Sequence, residues 1–130
     1  MAEITIEKLK QYAAMQAEKK QIEDQIDALY RSISSPRLGE SLGSTEPGNP
    51  TERTAFRIIE EKERLEQLSI ELWQMTKKIE EWLQSLDDHE VRAIVRAHYI
   101  NGKTWRQTAR EVYGWADQDT PRKRIKRFFE

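Results

Sequence analysis

The 130-residue sequence contains no cysteine, two histidines, five glycines and four prolines. Without cysteine, the chain can form no disulfide, no thiolate metal site and no thiol nucleophile. No apolar run approaches the ~20 residues that a membrane-spanning helix requires, and the N-terminus lacks the pattern of a signal peptide. We therefore expect a cytoplasmic protein that makes no contact with a membrane.

The two histidines form no catalytic or metal-binding pattern. His89 and His98 would lie on opposite faces of one helix, and HEVRA lacks the second histidine of a zinc-protease motif. Asp87, Asp88 and Glu90 suit the first turn of a helix, where negative charge interacts favourably with the helix dipole. We therefore expect no enzyme, no cofactor and no metal site, and we expect His98 to be a partly buried core or turn residue.

Charge is abundant but unevenly distributed along the chain. Charged residues make up 35% of the sequence, and the formal net charge is -1. Residues 1–86 hold 12 basic and 16 acidic side chains, whereas residues 87–130 hold 10 basic and 7 acidic ones. Five of the six residues from Arg122 to Arg127 are basic. Because such a run is often only a solvated helix face, its context decides its role.

The first 86 residues predict two long helices, each with apolar residues at heptad spacing. The first seam, from about residue 5 to residue 33, consists of Tyr12, Met15, Ile22, Ile26, Leu29 and Ile33. The second consists of Ile58, Leu65, Leu68, Leu72, Met75, Ile79, Trp82 and Leu86. Three of the four prolines lie between them, which predicts a loop at about residues 34–50. The pattern favours an antiparallel hairpin, although this loop is long enough to permit a parallel or swapped pairing.

A two-helix hairpin buries one stripe of each helix, which is a small core for a chain of this length. A second apolar surface lies off the second seam and contains Phe56, Ile59, Trp73 and Leu83. Self-association through residues 5–86 would cover it. We therefore expect a homodimer or a higher homo-oligomer.

Residues 87–130 predict three short helices separated by two breaks. The first helix places Val91, Ile94, Val95 and His98 on one face, and Asn101–Gly102 then marks a turn. TWRQTAREVY predicts the second helix, and GWADQD separates it from the third. Ala109 permits close helix packing and Gly114 suits a tight turn, as in a helix-turn-helix. The candidate N-caps along the whole chain are Thr51, Ser85 or Asp87, Thr104, and Asp119 or Thr120.

These patterns together predict an all-α protein with two regions. Residues 1–86 form a long two-helix coiled-coil hairpin used for oligomerisation, and residues 87–130 form a three-helix helix-turn-helix module. We expect Trp105 and Trp115 to belong to the core of this module, with base stacking as the less favoured alternative.

The last helix has an apolar side and a cationic side. A helical wheel turns Ile125, Phe128 and Phe129 inward. The residues that point outward or flank the outward side are Thr120, Lys123, Arg124, Lys126 and Arg127. Duplex DNA is a dense line of phosphates, its major groove admits one α-helix, and arginine pairs with guanine edges. We therefore predict duplex DNA as the partner, with the last helix in the groove.

The start of the preceding helix suits contacts with the DNA backbone. Lys103, Thr104 and Arg106 lie there, where helix-turn-helix proteins cross the phosphates. Gln118, just before the last helix, can reach a base or a phosphate. The alternative for Lys103 and Arg106 is ordinary surface charge.

The segments RAHYINGKTWRQTAREVYG and DTPRKRIKRFF resemble the C-terminal module of small prophage-encoded proteins of Gram-positive bacteria. Shared features are a His-Tyr pair, a Gly-Lys turn before tryptophan, a Trp-x-x-x-Ala helix and a basic PRK helix ending in aromatic residues. Those proteins are similar to region 4 of sigma factors and to phage late-gene transcriptional activators. The resemblance covers about residues 86–130, and the segment YGWADQDT is longer than the usual turn.

The resemblance implies DNA binding and phage gene regulation in the cytoplasm of a bacterial host, with RNA polymerase as a candidate partner. It implies phosphate contact by Lys103, Thr104 and Arg106, and groove contact by Lys123, Arg124 and Arg127. Two alternatives remain open. One is a small terminase-like component of phage DNA packaging. The other is a protein-interaction module whose basic helix binds an acidic partner, such as a host nuclease.

Overall fold

A computed structural model describes residues 3–34, 50–115 and 117–130 of the chain. All secondary structure in these residues is helical, which confirms the predicted all-α class. The helices are α1 (Ile6–Ser34), α2 (Pro50–Gln84), α3 (His89–Val95), α4 (Trp105–Tyr113) and α5 (Asp119–Phe129). A π-helical turn (Arg96–Ile100) continues α3 directly. The predicted loop at residues 34–50 lies, apart from its two ends, outside the described residues.

The long helices bury the middle of each predicted seam, but Ile33, predicted to end the first seam, is exposed, so its predicted seam position is wrong. Tyr12, Ile22 and Ile26 of α1 are buried. In α2 the buried seam residues are Ile58, Leu68, Leu72 and Ile79. Leu83, which was predicted to lie on an exposed second surface, is fully buried, so that prediction is wrong. None of the described helices has the combination of length and apolar character that a membrane crossing requires.

The chain divides into two compact units, and neither is a continuous segment. One unit combines Met1–Gln16 with Leu72–Glu130, and the other is Ala17–Glu71. The start of α1 and the end of α2 therefore pack with the C-terminal helices. The boundary predicted between residues 86 and 87 does not coincide with this division.

Contacts within each unit show that α1 and α2 run antiparallel. In the first unit, the hydroxyl groups of Tyr12 and Thr76 form a hydrogen bond of 2.7 Å. In Ala17–Glu71, the ammonium of Lys62 lies 5.0 Å from the centre of the Tyr30 ring. A later residue of α1 thus contacts an earlier residue of α2, as the antiparallel hairpin requires.

The three C-terminal helices and the π-helical turn build the core of the first unit together with Leu9 of α1 and Leu83 of α2, both fully buried. Val91, Ile94 and Val95 of α3 are fully buried. Ala109 of α4 is also fully buried, in agreement with its predicted place at a close helix contact. Pro121 and Ile125 fix the inner side of α5.

The π-helical turn is joined to α1 and α2. Gln16 Nε2 donates to the carbonyl oxygen of Ile100 at 2.9 Å. Arg96 forms an ion pair with Glu80 of α2 at 2.9 Å. The C-terminal helices are therefore held by side chains from both long helices.

Several helices start at residues other than the predicted caps. Pro50 already belongs to α2, so Thr51 lies inside that helix. Asp88, rather than Ser85 or Asp87, caps α3, because its carboxylate accepts the amide hydrogen of Val91 at 3.2 Å. For α3 the preferred cap types were available at neighbouring positions, and the structure uses Asp88.

Candidate nucleic-acid interface

The start of α4 is fixed by a reciprocal cap. The Thr104 hydroxyl accepts the amide hydrogen of Gln107 at 3.1 Å, and the Gln107 side-chain oxygen accepts that of Thr104 at 2.9 Å. Gly102, with φ of 71°, takes the left-handed conformation that lets the chain turn before this cap. The predicted N-cap role of Thr104 is confirmed, and its neighbours Lys103 and Arg106 are held at the same helix end.

Two of the predicted phosphate contacts at this end differ in their surroundings. Arg106 is exposed, with no ion pair to any residue that the structure describes. Lys103 forms an ion pair with Glu111 at 2.8 Å. Both partners are about half exposed, so this pair contributes little to stability, and the lysine can exchange partners at small cost.

The turn between α4 and α5 begins at Gly114, whose φ of 84° ends α4 in the left-handed conformation. The turn extends to Gln118 and is longer than the three to four residues usual in helix-turn-helix motifs. Gln118 is exposed and makes no capping hydrogen bond through its side chain. It therefore stays available for an external partner.

Asp117 fixes the first turn of α5. Its carboxylate accepts the amide hydrogen of Asp119 at 3.0 Å and the hydroxyl hydrogen of Thr120 at 3.3 Å. The predicted caps Asp119 and Thr120 thus lie within the helix. Thr120 is half-buried, and its hydroxyl is already bonded.

The solvent side of α5 carries four exposed basic residues, which we call the outer face: Arg122, Lys123, Lys126 and Arg127. Arg122 pairs with Asp119 of the same helix at 2.7 Å. The other three form no ion pair with any described part of the chain. Arg122 was not among the predicted contacts, because the wheel places it only at the edge of the apolar side.

Arg124 does not belong to the outer face, so its predicted outward orientation is wrong. Its guanidinium pairs with Asp88 and, at 2.9 Å, with Glu90, both at the start of α3. Glu90 also accepts a hydrogen bond from the Tyr113 hydroxyl. Arg124 therefore connects α5 to the start of α3, and Tyr113, the last residue of α4, joins the same cluster through Glu90.

The pKa shifts of Arg124 and Tyr113 agree with the hydrogen bonds that both residues make to Glu90. The hydrogen bond to Glu90 raises the pKa of Arg124 above its ordinary value, so the guanidinium stays charged. Burial raises the pKa of the Tyr113 hydroxyl, and the hydrogen bond that it donates to Glu90 raises that pKa further. Arg124 is thus committed to a contact within the protein.

A second aromatic cluster supports the start of α4. The His98 ring stacks on Trp105, with centroids 3.6 Å apart, and Tyr99 meets the edge of the same indole. His98 Nδ1 donates to the carbonyl oxygen of Lys103 at 2.8 Å. Burial lowers the pKa of His98, with the bond to Lys103 opposing that shift in part. The prediction that His98 is a partly buried core or turn residue is confirmed.

The predictions for the tryptophans are confirmed only in part. Trp105 is half-buried in the cluster with His98. Trp115 is 54% exposed in the turn and stacks only on Tyr113, so its predicted core position is wrong. A tryptophan in a turn has few neighbours, and sequence spacing alone does not reveal this.

The start of α4 and the outer face of α5 border one groove. Trp105 and the cations Arg122 and Lys126 line it together. Of the predicted contact residues, Lys126 lines this groove, whereas Lys103, Thr104 and Arg106 lie beside its Trp105 wall without lining it. In the described part of the chain, no cluster of three or more potential metal-binding side chains occurs.

Comparison of the sequence with family models and curated proteins, and of the structure with solved structures, finds no significant match.

Proposed function

We propose that the chain is a sequence-specific duplex DNA-binding protein that regulates transcription of a phage or prophage. The observation that carries the proposal is the outer face of α5. Its four cations project from a short helix whose other side is fixed in the core by Pro121 and Ile125. A positively charged helix of this kind fits the major groove and its phosphate walls.

The position of α4 supports the same proposal. Its start carries Arg106 and Lys103, and it borders the same groove as Arg122 and Lys126 of the outer face. In helix-turn-helix docking, the first helix contacts the backbone while the second enters the groove. We assign phosphate contact to the start of α4 and groove contact to α5.

Arg124 changes the assignment of base contacts. Because its guanidinium is held by Asp88 and Glu90, groove contact falls to Lys123, Lys126 and Arg127. Arg127 is the residue of this group that can pair bidentately with guanine. The regulator would act in the cytoplasm of a bacterial host, and RNA polymerase is its candidate protein partner.

The test compares two triple variants of the full chain. Lys123→Ala/Lys126→Ala/Arg127→Ala removes three cations of the outer face, and Lys20→Ala/Arg53→Ala/Lys78→Ala removes three exposed cations of α1 and α2 as a matched control. Fluorescence anisotropy with a selected and a scrambled duplex, at several salt concentrations, gives affinity and salt dependence. We expect the first variant to lose affinity and about one unit of salt slope for each lost phosphate contact. The control should match the wild type.

Single substitutions separate base contact from backbone contact. Arg127→Ala should cost about 1 to 3 kcal/mol at one base pair of the selected site, whereas Lys103→Ala should weaken all duplexes alike. If the outer-face variant stays folded by circular dichroism and binds DNA as tightly as the wild type, the proposal fails. The basic helix would then be assigned to an acidic protein partner.

A further inference from the structure

The groove beside α5 has the form of a small-molecule site. It is an open groove of about 500 Å³, bordered by the start of α1, the π-helical turn, the start of α4 and the last two turns of α5. Ligand sites in proteins typically measure about 300 to 1,000 Å³ and are lined by apolar and aromatic side chains with a few polar groups. The apolar lining here consists of Ile6, Tyr99, Trp105, Ile125 and Phe129.

The aromatic side chains that line the groove pack against other rings of the protein. Trp105 stacks on His98, and Phe129 stacks on Trp82, with centroids 6.0 Å apart. Tyr99 is buried and meets the edge of Trp105. Because these rings already have fixed neighbours, the groove exists before a ligand arrives, and binding requires little ordering of side chains.

The rim of the groove is cationic. Lys10 of α1 and the outer-face residues Arg122 and Lys126 line it, with Glu130 as the one carboxylate among the lining residues. Asp119 pairs with Arg122 from outside the groove and compensates part of its charge. Lys10 and Lys126 form no ion pair with any residue in the described ranges. The rim therefore favours an anion.

We propose that this groove binds a small amphiphilic organic anion, namely a carboxylate with an aromatic or aliphatic body. The body would pack against Trp105 and Phe129, and the carboxylate would pair with Lys10 and Lys126. A helix from another protein is a poorer fit, because the groove is small and its cationic rim suits one charged group on a short apolar body. The site does not depend on the proposed binding of DNA and is measured in its absence.

The experiment titrates the full chain with 2-naphthoate and, separately, with the uncharged 2-naphthalenemethanol, using isothermal titration calorimetry. Lys10→Glu and Lys126→Glu reverse a charge on the rim. Lys123→Glu reverses an exposed charge of the same helix that does not line the groove and is the matched control. Circular dichroism establishes that each variant is folded.

We expect naphthoate to bind more tightly than the alcohol, since only the carboxylate can pair with the rim. Each rim variant should weaken naphthoate by about fivefold, the equivalent of one partly exposed ion pair, while affinity for the alcohol stays within about twofold. Lys123→Glu should leave both affinities within the same margin. In NMR spectra the indole N–H signal of Trp105 should shift on binding, and that of exposed Trp115 should not.

The proposal is overturned if naphthoate shows no binding at millimolar concentration, or if it binds no tighter than the alcohol. It is also overturned if Lys123→Glu weakens naphthoate as much as Lys126→Glu does, because the anion would then respond only to the general charge of α5.

Discussion

Arg124 is the basic residue of α5 whose side chain joins that helix to another one. Of its two carboxylate partners, Asp88 is the N-cap of α3 and Glu90 lies in the first turn of that helix. A wheel places Arg124 near the cations of the outer face. It cannot show that a long side chain bends toward carboxylates more than thirty residues earlier, so this feature was beyond prediction from the sequence.

Arg124→Ala should therefore destabilise the fold, whereas Arg122→Ala, its matched control, should not. Loss of Arg124 leaves Asp88 and Glu90 unpaired, and we expect the free energy of unfolding to fall by about 1 to 2 kcal/mol, since these carboxylates are partly exposed. The Arg122–Asp119 pair is exposed, and its loss should change stability by less than about 0.5 kcal/mol. Urea denaturation followed by circular dichroism measures both. Equal losses in the two variants would contradict the structural role of Arg124.

At the scale of the helices, hydrophobic periodicity predicts which helices form and which of them pair better than it predicts the residues at which they begin and end. The seams through Ile22 and Leu68 identify α1 and α2 correctly, because burial of one stripe imposes a 3.6-residue repeat on the sequence. The burial of Leu83 was missed because the heptad seam of α2 considered packing against α1 alone, whereas the end of α2 also contacts α5, as Trp82 does through Phe128 and Phe129. The outward position of Lys123 and Arg127 followed correctly from the inward position of Ile125.

His98 links two elements, and its burial makes that link sensitive to pH. The ring joins the π-helical turn to the start of α4 through Trp105 and the Lys103 carbonyl. Its pKa in the folded protein is below the ordinary value near 6.5, so the unfolded chain binds a proton more readily. The contribution of His98 to stability is therefore fully present above about pH 6.5 and is lost as the pH falls through the folded pKa.

This dependence can be measured by thermal unfolding between pH 7.5 and pH 5. His98→Gln should show a smaller decrease in melting temperature over this range than the wild type, because the titrating group is gone. His89→Gln is the matched control, since His89 is exposed at the start of α3. It should retain the full decrease. An unchanged pH profile in His98→Gln would show that other groups cause the decrease.

At the scale of the whole molecule, the unit Ala17–Glu71 exposes more apolar surface than a two-helix hairpin can cover by itself. The large apolar side chains that it exposes are Tyr30, Ile33, Phe56, Ile59 and Ile70. Phe56 and Ile59 are three residues apart on α2 and therefore neighbours on its surface, and adjoining exposed apolar side chains are typical of protein interfaces. We propose that a second copy of the chain covers part of this surface.

The chain should accordingly sediment as a dimer or a larger oligomer at micromolar concentration. Phe56→Ser/Ile59→Ser should shift the equilibrium toward a monomer of 15.4 kDa, because these two side chains are 60% and 54% exposed in the single chain. Trp115→Ser removes a comparably exposed ring from the other unit and should leave the mass unchanged. Analytical ultracentrifugation decides the matter, and a wild-type monomer would exclude this interface.

The discontinuous unit has a consequence for how the chain acquires its fold during synthesis. Residues 17–71 are an insertion between two parts of one core, so Tyr12 must wait for Thr76 to be made before their contact can form. Contacts of such high sequence separation slow folding, because a long loop must close first. A fragment that begins at Asp87 would also lack Trp82, on which Phe128 and Phe129 pack. The basic helix α5 is thus made after the part of α1 that belongs to the same core, and it depends on that earlier segment for a complete core.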